Sequence, residues 1–351
     1  MKRKERIQAF VGIIWQWYES HKRSLPWRDL TDPDPTDRAY KILVSEIMLQ
    51  QTQVPRVIVT YRNFLERFPR LSDLATASNR DVLIAWRGMG YNSRALRLRD
   101  AARKIIENGK LKIENNDIFP SSMEALMSIP GIGHYTAAAV RNFAFGLPTP
   151  CIDTNIRRIL HRTFVGPERA DGSWEKDDEY LLEIAGEVLK EAECNRGNRR
   201  VRRNRGSSVS LVASVSSVAS DWHAALMDFG SLVQTKRNPK WEICPLTKNS
   251  IMKATPKNIP QAIQPSNHVT ISRKQEPGRF VGSTFIPNRI FRGKVVDLLR
   301  DAPSALSIDQ IGRCISVDWD RVTHRAWLKG LLQKLLADQL VRKERGRYVL
   351  G

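Results

Sequence analysis

The run Leu126-Met-Ser-Ile-Pro-Gly-Ile-Gly-His-Tyr-Thr-Ala-Ala-Ala-Val140 decides how the rest of this chain is read. An apolar helical turn stops at Pro-Gly-Ile-Gly, and a second apolar helix starts at once. Gly131 and Gly133 lack a Cβ, so their backbone is free to take positive φ and to expose consecutive N–H groups. Amides at a helix N-terminus make a seat for a phosphate that reads no base sequence. A bare Gly-x-Gly is an ordinary turn in most chains. Between two helices of a strongly basic protein it reads as a phosphate-binding hairpin, with Gly131, Gly133 and His134 facing the anion.

The basic character is plain: 57 Lys and Arg against 37 Asp and Glu give a formal charge of +20 over 351 residues. Such an excess favours a polyanionic partner, nucleic acid or a membrane surface, and says little about fold. The four cysteines, Cys151, Cys194, Cys244 and Cys314, contain no C-x-x-C pair, so neither a disulfide framework nor a thiolate metal site is written here. The start Met1-Lys-Arg-Lys followed by an apolar run resembles a secretion signal. However, Ile7, Phe10, Val11, Ile14 and Tyr18 follow helical spacing and no small-x-small site comes next, so an amphipathic core helix is expected. No apolar run reaches transmembrane length, and no membrane partner is expected. A monomer is expected, cytoplasmic and nucleoid-associated if the source is bacterial or archaeal.

Outward from the hairpin the first 190 or so residues read as short helices, predicted at 41–53, 55–67, 73–86, 95–108, 122–128, 135–145 and 156–164. No alternating strand appears among them, and the class is all-α. Residues 195–206 carry six arginines, and 207–220 are nearly all Ser, Val and Ala. Without a helical stripe, 193–220 is expected to be a disordered insertion, either gripping phosphates or simply solvated. Helical pattern resumes at Trp222-His-Ala-Ala-Leu-Met-Asp-Phe-Gly230 and closes a core domain at 252. Residues 253–283 read as a linker. Helices at 290–300, 307–314 and 320–337, then a basic hairpin turning at Gly346, make 284–351 a small winged-helix-like domain. Its third helix either meets DNA or a partner, or packs on the core, which is the expected case.

Two acids stand out. Glu46 is the one charge in Ile42-Leu-Val-Ser-Glu-Ile-Met-Leu49, an apolar helical stretch. Desolvation keeps such a carboxyl protonated and able to act as a general acid, unless a salt bridge or a helix edge relieves it. Asp153, in Pro150-Cys-Ile-Asp-Thr-Asn-Ile156, reads first as an N-cap. Paired with a general acid it gains a second reading: cleavage of a glycosidic bond uses one acid on the leaving group and one carboxylate for the oxocarbenium-like cation.

Taken in order, Leu25-Pro-Trp-Arg28, Ser45-Glu-Ile-Met-Leu-Gln-Gln-Thr-Gln-Val54, Trp86-Arg-Gly-Met-Gly-Tyr91, Ile129-Pro-Gly-Ile-Gly133 and Asp153-Thr-Asn155 resemble the successive motifs of the MutY adenine glycosylases, within the helix-hairpin-helix superfamily. The resemblance covers roughly residues 5–250, less the insertion. Its most specific block is Glu-Ile-Met-Leu-Gln-Gln-Thr, since sister families that remove oxidised pyrimidines or 8-oxoguanine lack that glutamate. It implies excision of a mispaired adenine from duplex DNA. Glu46 would protonate adenine N7, and Asp153 would stabilise the sugar cation with support from Asn155 and Tyr135. Trp27 and Arg28 would line the pocket of the flipped base, and Gln51 and Tyr91 would wedge into the duplex. Tyr135 stands where bifunctional relatives carry a Schiff-base lysine, which implies a monofunctional enzyme.

The resemblance also implies a [4Fe–4S] cluster, yet the four ligand positions read Gln234, Trp241, Cys244 and Ser250. One thiolate does not hold a cubane, so no cluster is expected, with Trp241 and apolar neighbours filling its space. The family's usual Nudix-like C-terminal domain has no room after the linker. Two other functions stay open: excision of another mismatched base such as T or U opposite G, and DNA binding without turnover.

Overall fold

The computed structural model describes residues 1–110, 119–203, 217–259 and 276–351. Among these residues the chain is helical apart from two short antiparallel hairpins, as the all-α reading requires. The helices are α1 (Arg3–His21), α2 (Pro35–Leu49), α3 (Val54–Arg67), α4 (Leu71–Thr76), α5 (Asn79–Ala85), α6 (Ser93–Lys110), α7 (Met123–Met127), α8 (His134–Ala144) and α9 (Thr154–Leu160). After α9 come α10 (Asp178–Arg203), α11 (Val218–Leu232) and α12 (Pro245–Lys248). A hairpin follows, of β1 (Gly278–Val281) and β2 (Thr284–Pro287). The chain ends with α13 (Asn288–Asp301), α14 (Ile308–Ile315), α15 (Arg321–Ala337), β3 (Val341–Glu344) and β4 (Arg347–Leu350). No described helix is long and apolar enough to cross a membrane.

The chain forms two compact units that interleave in sequence. The first takes residues 1–43, 120–128 and 132–267; the second takes 44–119, 129–131 and 268–351. In the first unit α1 exists because its apolar positions fall on one face, and that face is buried. Phe10 meets Phe164 edge-on at 5.3 Å and Trp222 at 6.0 Å, while Trp17 meets Phe229 at 5.0 Å. Fully burying one such side chain stabilises by roughly 1.5–3 kcal/mol, so these rings fix α1 against α11.

The winged-helix segment groups with residues 44–119 instead of standing alone. Its first helix and the turn after its third tie it to α5: Arg300 Nε donates to Leu83 O at 3.1 Å, Arg87 pairs with Asp301, and Asn79 Nδ2 donates to Gln339 O at 3.0 Å. The third helix, α15, was expected to do this packing. It instead buries Leu328, Leu331, Leu332 and Leu335 within the winged-helix segment and leaves Arg321, Arg325 and Lys329 exposed. Leu306 bridges Tyr348, adding an edge residue to the β3–β4 hairpin.

Other boundaries moved for local reasons. The predicted helix 73–86 is two helices, because Ser78 caps α5 by accepting from Asp81 N at 3.1 Å. Part of the expected insertion is helical: α10 runs to Arg203, and α11 starts at Val218 behind its cap Ser217. Arginine is a good helix former, and α10 has already formed its nucleus on buried turns, so extension is favourable without an apolar stripe. Residues 204–216, the rest of the expected insertion, lie outside the described residues, as does 260–275 of the linker. The linker's end, expected to be irregular, holds the β1–β2 hairpin, which turns at Gly282 with φ +57°.

Candidate functional site

The hairpin that opened the sequence reading is present as a local structure. Ser122 caps α7 through Ala125 N at 3.1 Å, Ile129 and Ile132 are buried, and α8 begins at His134. Of the two glycines, Gly131 takes the left-handed φ of +90°. Gly133 does not: it is the N-cap of α8 at φ −88°, ψ 176°, conformations open to any residue. A Cβ at 133 would meet nothing, so what glycine contributes there is clearance for an approaching group. Gly131, Gly133 and His134 are all exposed.

In the first unit Asp153 is the N-cap of α9. Its Oδ1 accepts from Asn155 N at 2.9 Å and Ile156 N at 2.6 Å, and its Oδ2 from Asn155 Nδ2 at 2.9 Å. Asn155 is held in turn: its Oδ1 accepts from Arg158 Nη2 at 2.7 Å. The same nitrogen donates to Gly230 O at 2.8 Å, and Arg158 Nε donates to Gln234 O. Burial raises the Asp153 carboxyl above its ordinary range, against the lowering pull of these hydrogen bonds and of the Arg158 charge. Gly230 is required by close approach, since a Cβ there would lie 2.7 Å from Asn155 Cβ. Tyr135, half-buried, packs against the core of this unit.

Trp27 and Arg28 border a small cleft of about 30 Å³, shared with Tyr18, Lys22, Phe143 and Asp221. Arg28 Nη1 donates to Asp228 at 2.8 Å, and the fully buried Asp228 also takes Arg23 Nε at 2.7 Å and Arg23 N at 3.2 Å. Sequence reasoning passed over Asp228, although the signal that singled out Glu46, a lone acid in an apolar helical run, was there in Leu226-Met-Asp-Phe-Gly230.

In the second unit Glu46 stands in the last turn of α2, 7% exposed. The helix does not run to 53 as expected; it stops at Leu49 because Arg94 collects its final carbonyls. Arg94 Nη1 donates to Ile47 O at 2.9 Å, Met48 O at 3.1 Å and Gln50 O. Nη2 donates to Thr52 Oγ1 at 3.0 Å and to Met89 O and Gly90 O, each at 3.3 Å. The guanidinium also lies 5.5 Å from the Trp86 ring and 5.6 Å from that of Tyr91. Burial, then the charge of Arg97, pushes its pKa down to about 10, which leaves it charged at neutral pH. Gln51 and Tyr91 are exposed and left-handed, with φ +56° and +44°. Arg94 was missed, because nothing local says which carbonyls an arginine will reach.

Comparison with known proteins places the chain in a family. The family described as HhH-GPD superfamily base excision DNA repair protein matches residues 44–208. The adenine DNA glycosylase of Mycolicibacterium smegmatis is 32% identical over 339 residues, 96% of this chain and 94% of that one. This chain belongs to the adenine DNA glycosylase family of the HhH-GPD superfamily. The human adenine DNA glycosylase is 35% identical over 243 residues, 68% of this chain and 38% of its own length. A thermostable thymine-DNA glycosylase of known structure superposes with TM-score 0.52 at 26% identity, covering 70% of this chain and 94% of its own. Endonuclease III, solved in a non-covalent DNA complex, shares the fold at TM-score 0.50 and 17% identity, over 72% of this chain and 96% of its own.

Gln234 and Cys244, two of the positions that the motif resemblance gives to cluster ligands, lie in a polar knot. Arg162 Nη1 donates to Gln234 Oε1 and to Thr235 O, both at 3.0 Å, while its Nε and Nη2 hold Glu168 at 3.0 and 2.5 Å. Gln234 Nε2 donates to Cys244 Sγ at 3.4 Å, which itself contacts Met252 Sδ at 3.9 Å. Trp241 lies 5.7 Å from the Arg162 guanidinium. The filling expected from Trp241 and apolar neighbours is therefore mostly a buried ion pair with an amide and two sulfurs. A buried guanidinium, an amide already bonded and one thiol are not a donor set for a cubane.

Proposed function

We propose that this protein is a monofunctional DNA glycosylase that excises adenine mispaired with guanine or 8-oxoguanine, as a step of base excision repair. The observation that carries the reading is a pair of carboxyls in a chain of this family: Glu46 buried on α2, and Asp153 fixed by three donors at the start of α9. In this mechanism Glu46 gives its proton to N7 of the extruded adenine. The glycosidic electron pair leaves with the base, and the Asp153 carboxylate faces the positive sugar until water adds. Asn155, anchored by Arg158, holds the Asp153 carboxylate in place. Tyr135 offers a phenol and no amine, so no Schiff base forms there. Trp27 and Arg28 form a wall of the base site, and Gln51 and Tyr91 enter the duplex. Amides around Gly131, Gly133 and His134 take backbone phosphate. The partner is double-stranded DNA with a mismatch or lesion, and no iron–sulfur cluster takes part.

A second reading has one specific support, the 26% identical thymine-DNA glycosylase. Glu46 speaks against it, since a pyrimidine has no N7 to protonate. Single-turnover assays on duplexes with A opposite 8-oxoguanine, A opposite G and T opposite G separate the readings. Excision on the first two alone is expected. Excision of T transfers the reading to the second, and no excision anywhere leaves a DNA-binding protein. Iron analysis of protein purified without oxygen tests the absence of a cluster: about four irons per chain would overturn it.

A further inference from the structure

Of the five non-glycine residues with left-handed backbone among the described residues, two are Gln51 and Tyr91, on separate exposed loops. Left-handed backbone is strained for both, and such strain persists where the surroundings over-determine it. What over-determines it here is one side chain. Arg94 is 4% exposed, and its six acceptors come from both loops: Ile47, Met48, Gln50 and Thr52 on one, Met89 and Gly90 on the other. The first three are carbonyls from the end of α2, where helix geometry leaves carbonyls without partners and where positive charge is favoured. Trp86 adds a second tie, donating through Nε1 to Gly90 O at 3.2 Å. Six acceptors shared by the two Nη groups of a planar fork suit a guanidinium; an ammonium cannot reproduce them.

We propose that Arg94 is a positioning residue that joins the Gln51 and Tyr91 loops into one rigid element, so that both side chains enter a duplex together. An exposed aromatic and an exposed amide, each on a left-handed residue and both on loops tied to Arg94, suit occupation of the gap that an extruded base leaves. Two mobile loops would have to be ordered at that moment, which weakens insertion. This rests on the reading above that the protein extrudes a base.

The test uses full-length protein and a duplex carrying 2-aminopurine in place of the target adenine, opposite guanine, whose fluorescence rises on unstacking. Arg94→Lys is expected to lower extrusion, and the single-turnover rate with it, by on the order of tenfold. Affinity for undamaged duplex, set by phosphates, should stay within about threefold. Placing the target in an unpaired bulge, already unstacked, should restore the Arg94→Lys rate to within about threefold of wild type. Extrusion by Arg94→Lys equal to wild type overturns the proposal, as does failure of the bulge to rescue. Because this variant can unfold its corner, a double-mutant cycle of Gln51→Ala and Tyr91→Ala is run with Arg94 intact. If the two tips act as one element, their effects on extrusion are coupled by on the order of tenfold. Additive effects show independent loops and overturn it. Loss of extrusion in wild type itself would overturn the functional reading, and the proposal with it.

Discussion

Two corners of this molecule use one device for different purposes. Arg158 and Arg94 are each buried, each gather carbonyls from two stretches of chain, and each have a pKa pushed down to about 10 by burial and by a neighbouring arginine. The Arg158 corner ends on Asp153, a half-buried carboxylate at the amide end of α9. The Arg94 corner ends on two exposed side chains, with Glu46 in the last turn of the helix whose carbonyls it holds. Helix ends sort charge: amides favour a negative group and carbonyls oppose it. In the proposed mechanism the Asp153 end keeps the carboxylate and the Glu46 end gives the proton, the division that glycosidic cleavage uses. In that mechanism the two buried arginines position their neighbours and the carboxyls carry the chemistry.

The strongest way to break that division is Glu46→Gln, which keeps the shape and removes the proton. Single-turnover excision should fall by about 10²–10⁴ while duplex affinity stays within about threefold. A rate within threefold of wild type would show that Glu46 is a buried structural acid after all.

Asp153→Asn attacks the other half. Excision should fall by about 10²–10³, the usual worth of one preorganised electrostatic contact. Stability should change by less than about 1 kcal/mol, because Asn caps a helix as well as Asp does. Asp153→Ala should lose the cap too, so chemical denaturation separates the two roles. The pH dependence follows from the raised pKa. The working form is the carboxylate, so activity is lost as pH falls, and the acid limb should lie above the ordinary value of about 3.9. For stability the sign is opposite: the folded state holds this proton more tightly than the unfolded one. Asp153 therefore stabilises most below the unfolded pKa, and that contribution is lost as pH rises through the raised one. A rate profile flat down to pH 4 would detach the charge from catalysis.

What the sequence disclosed, and what it hid, divides along the same line. The hairpin at 126–140, the burial of Glu46 and the Asp153 cap were legible because each signal is local: a turn between two helices, a lone acid in an apolar run, a cap before a helix. Arg94, Arg158 and the interleaved units were not, since an arginine's partners lie 44 or 76 residues away and no periodicity records them. Ser78, which splits a predicted helix, was readable as a cap and was outweighed by the apolar pattern on both sides.

Gly230→Ala sharpens the comparison with a smaller effect. The new methyl would stand 2.7 Å from Asn155 Cβ, so Asn155 must move by several tenths of an ångström and take the Asp153 side chain with it. Excision should drop roughly tenfold from misplacement alone, with the pH profile unchanged in position. An unchanged rate would mean that α11 yields and Asn155 does not.

The smallest effect is expected from the β3–β4 hairpin, which belongs to neither corner. Deleting the whole tail is a poor test, because α13 is tied to α5 through Arg300 and its loss would disturb the second unit. Charge removal is cleaner. Arg342→Gln leaves a strand residue with an exposed side chain, and Arg345→Asn keeps a residue tolerant of the left-handed turn at φ +46°. If both arginines neutralise phosphate, the slope of log K against log salt should fall by about 0.9 for each, while the excision rate at saturation stays the same. The ratio of excision rates opposite 8-oxoguanine and opposite guanine should also hold, since phosphate contacts carry no base information. An unaltered salt slope would mean that the hairpin faces away from DNA. A ratio that collapses to near unity would mean that the tail reads the lesion, and the two corners would then share recognition with a third part of the chain.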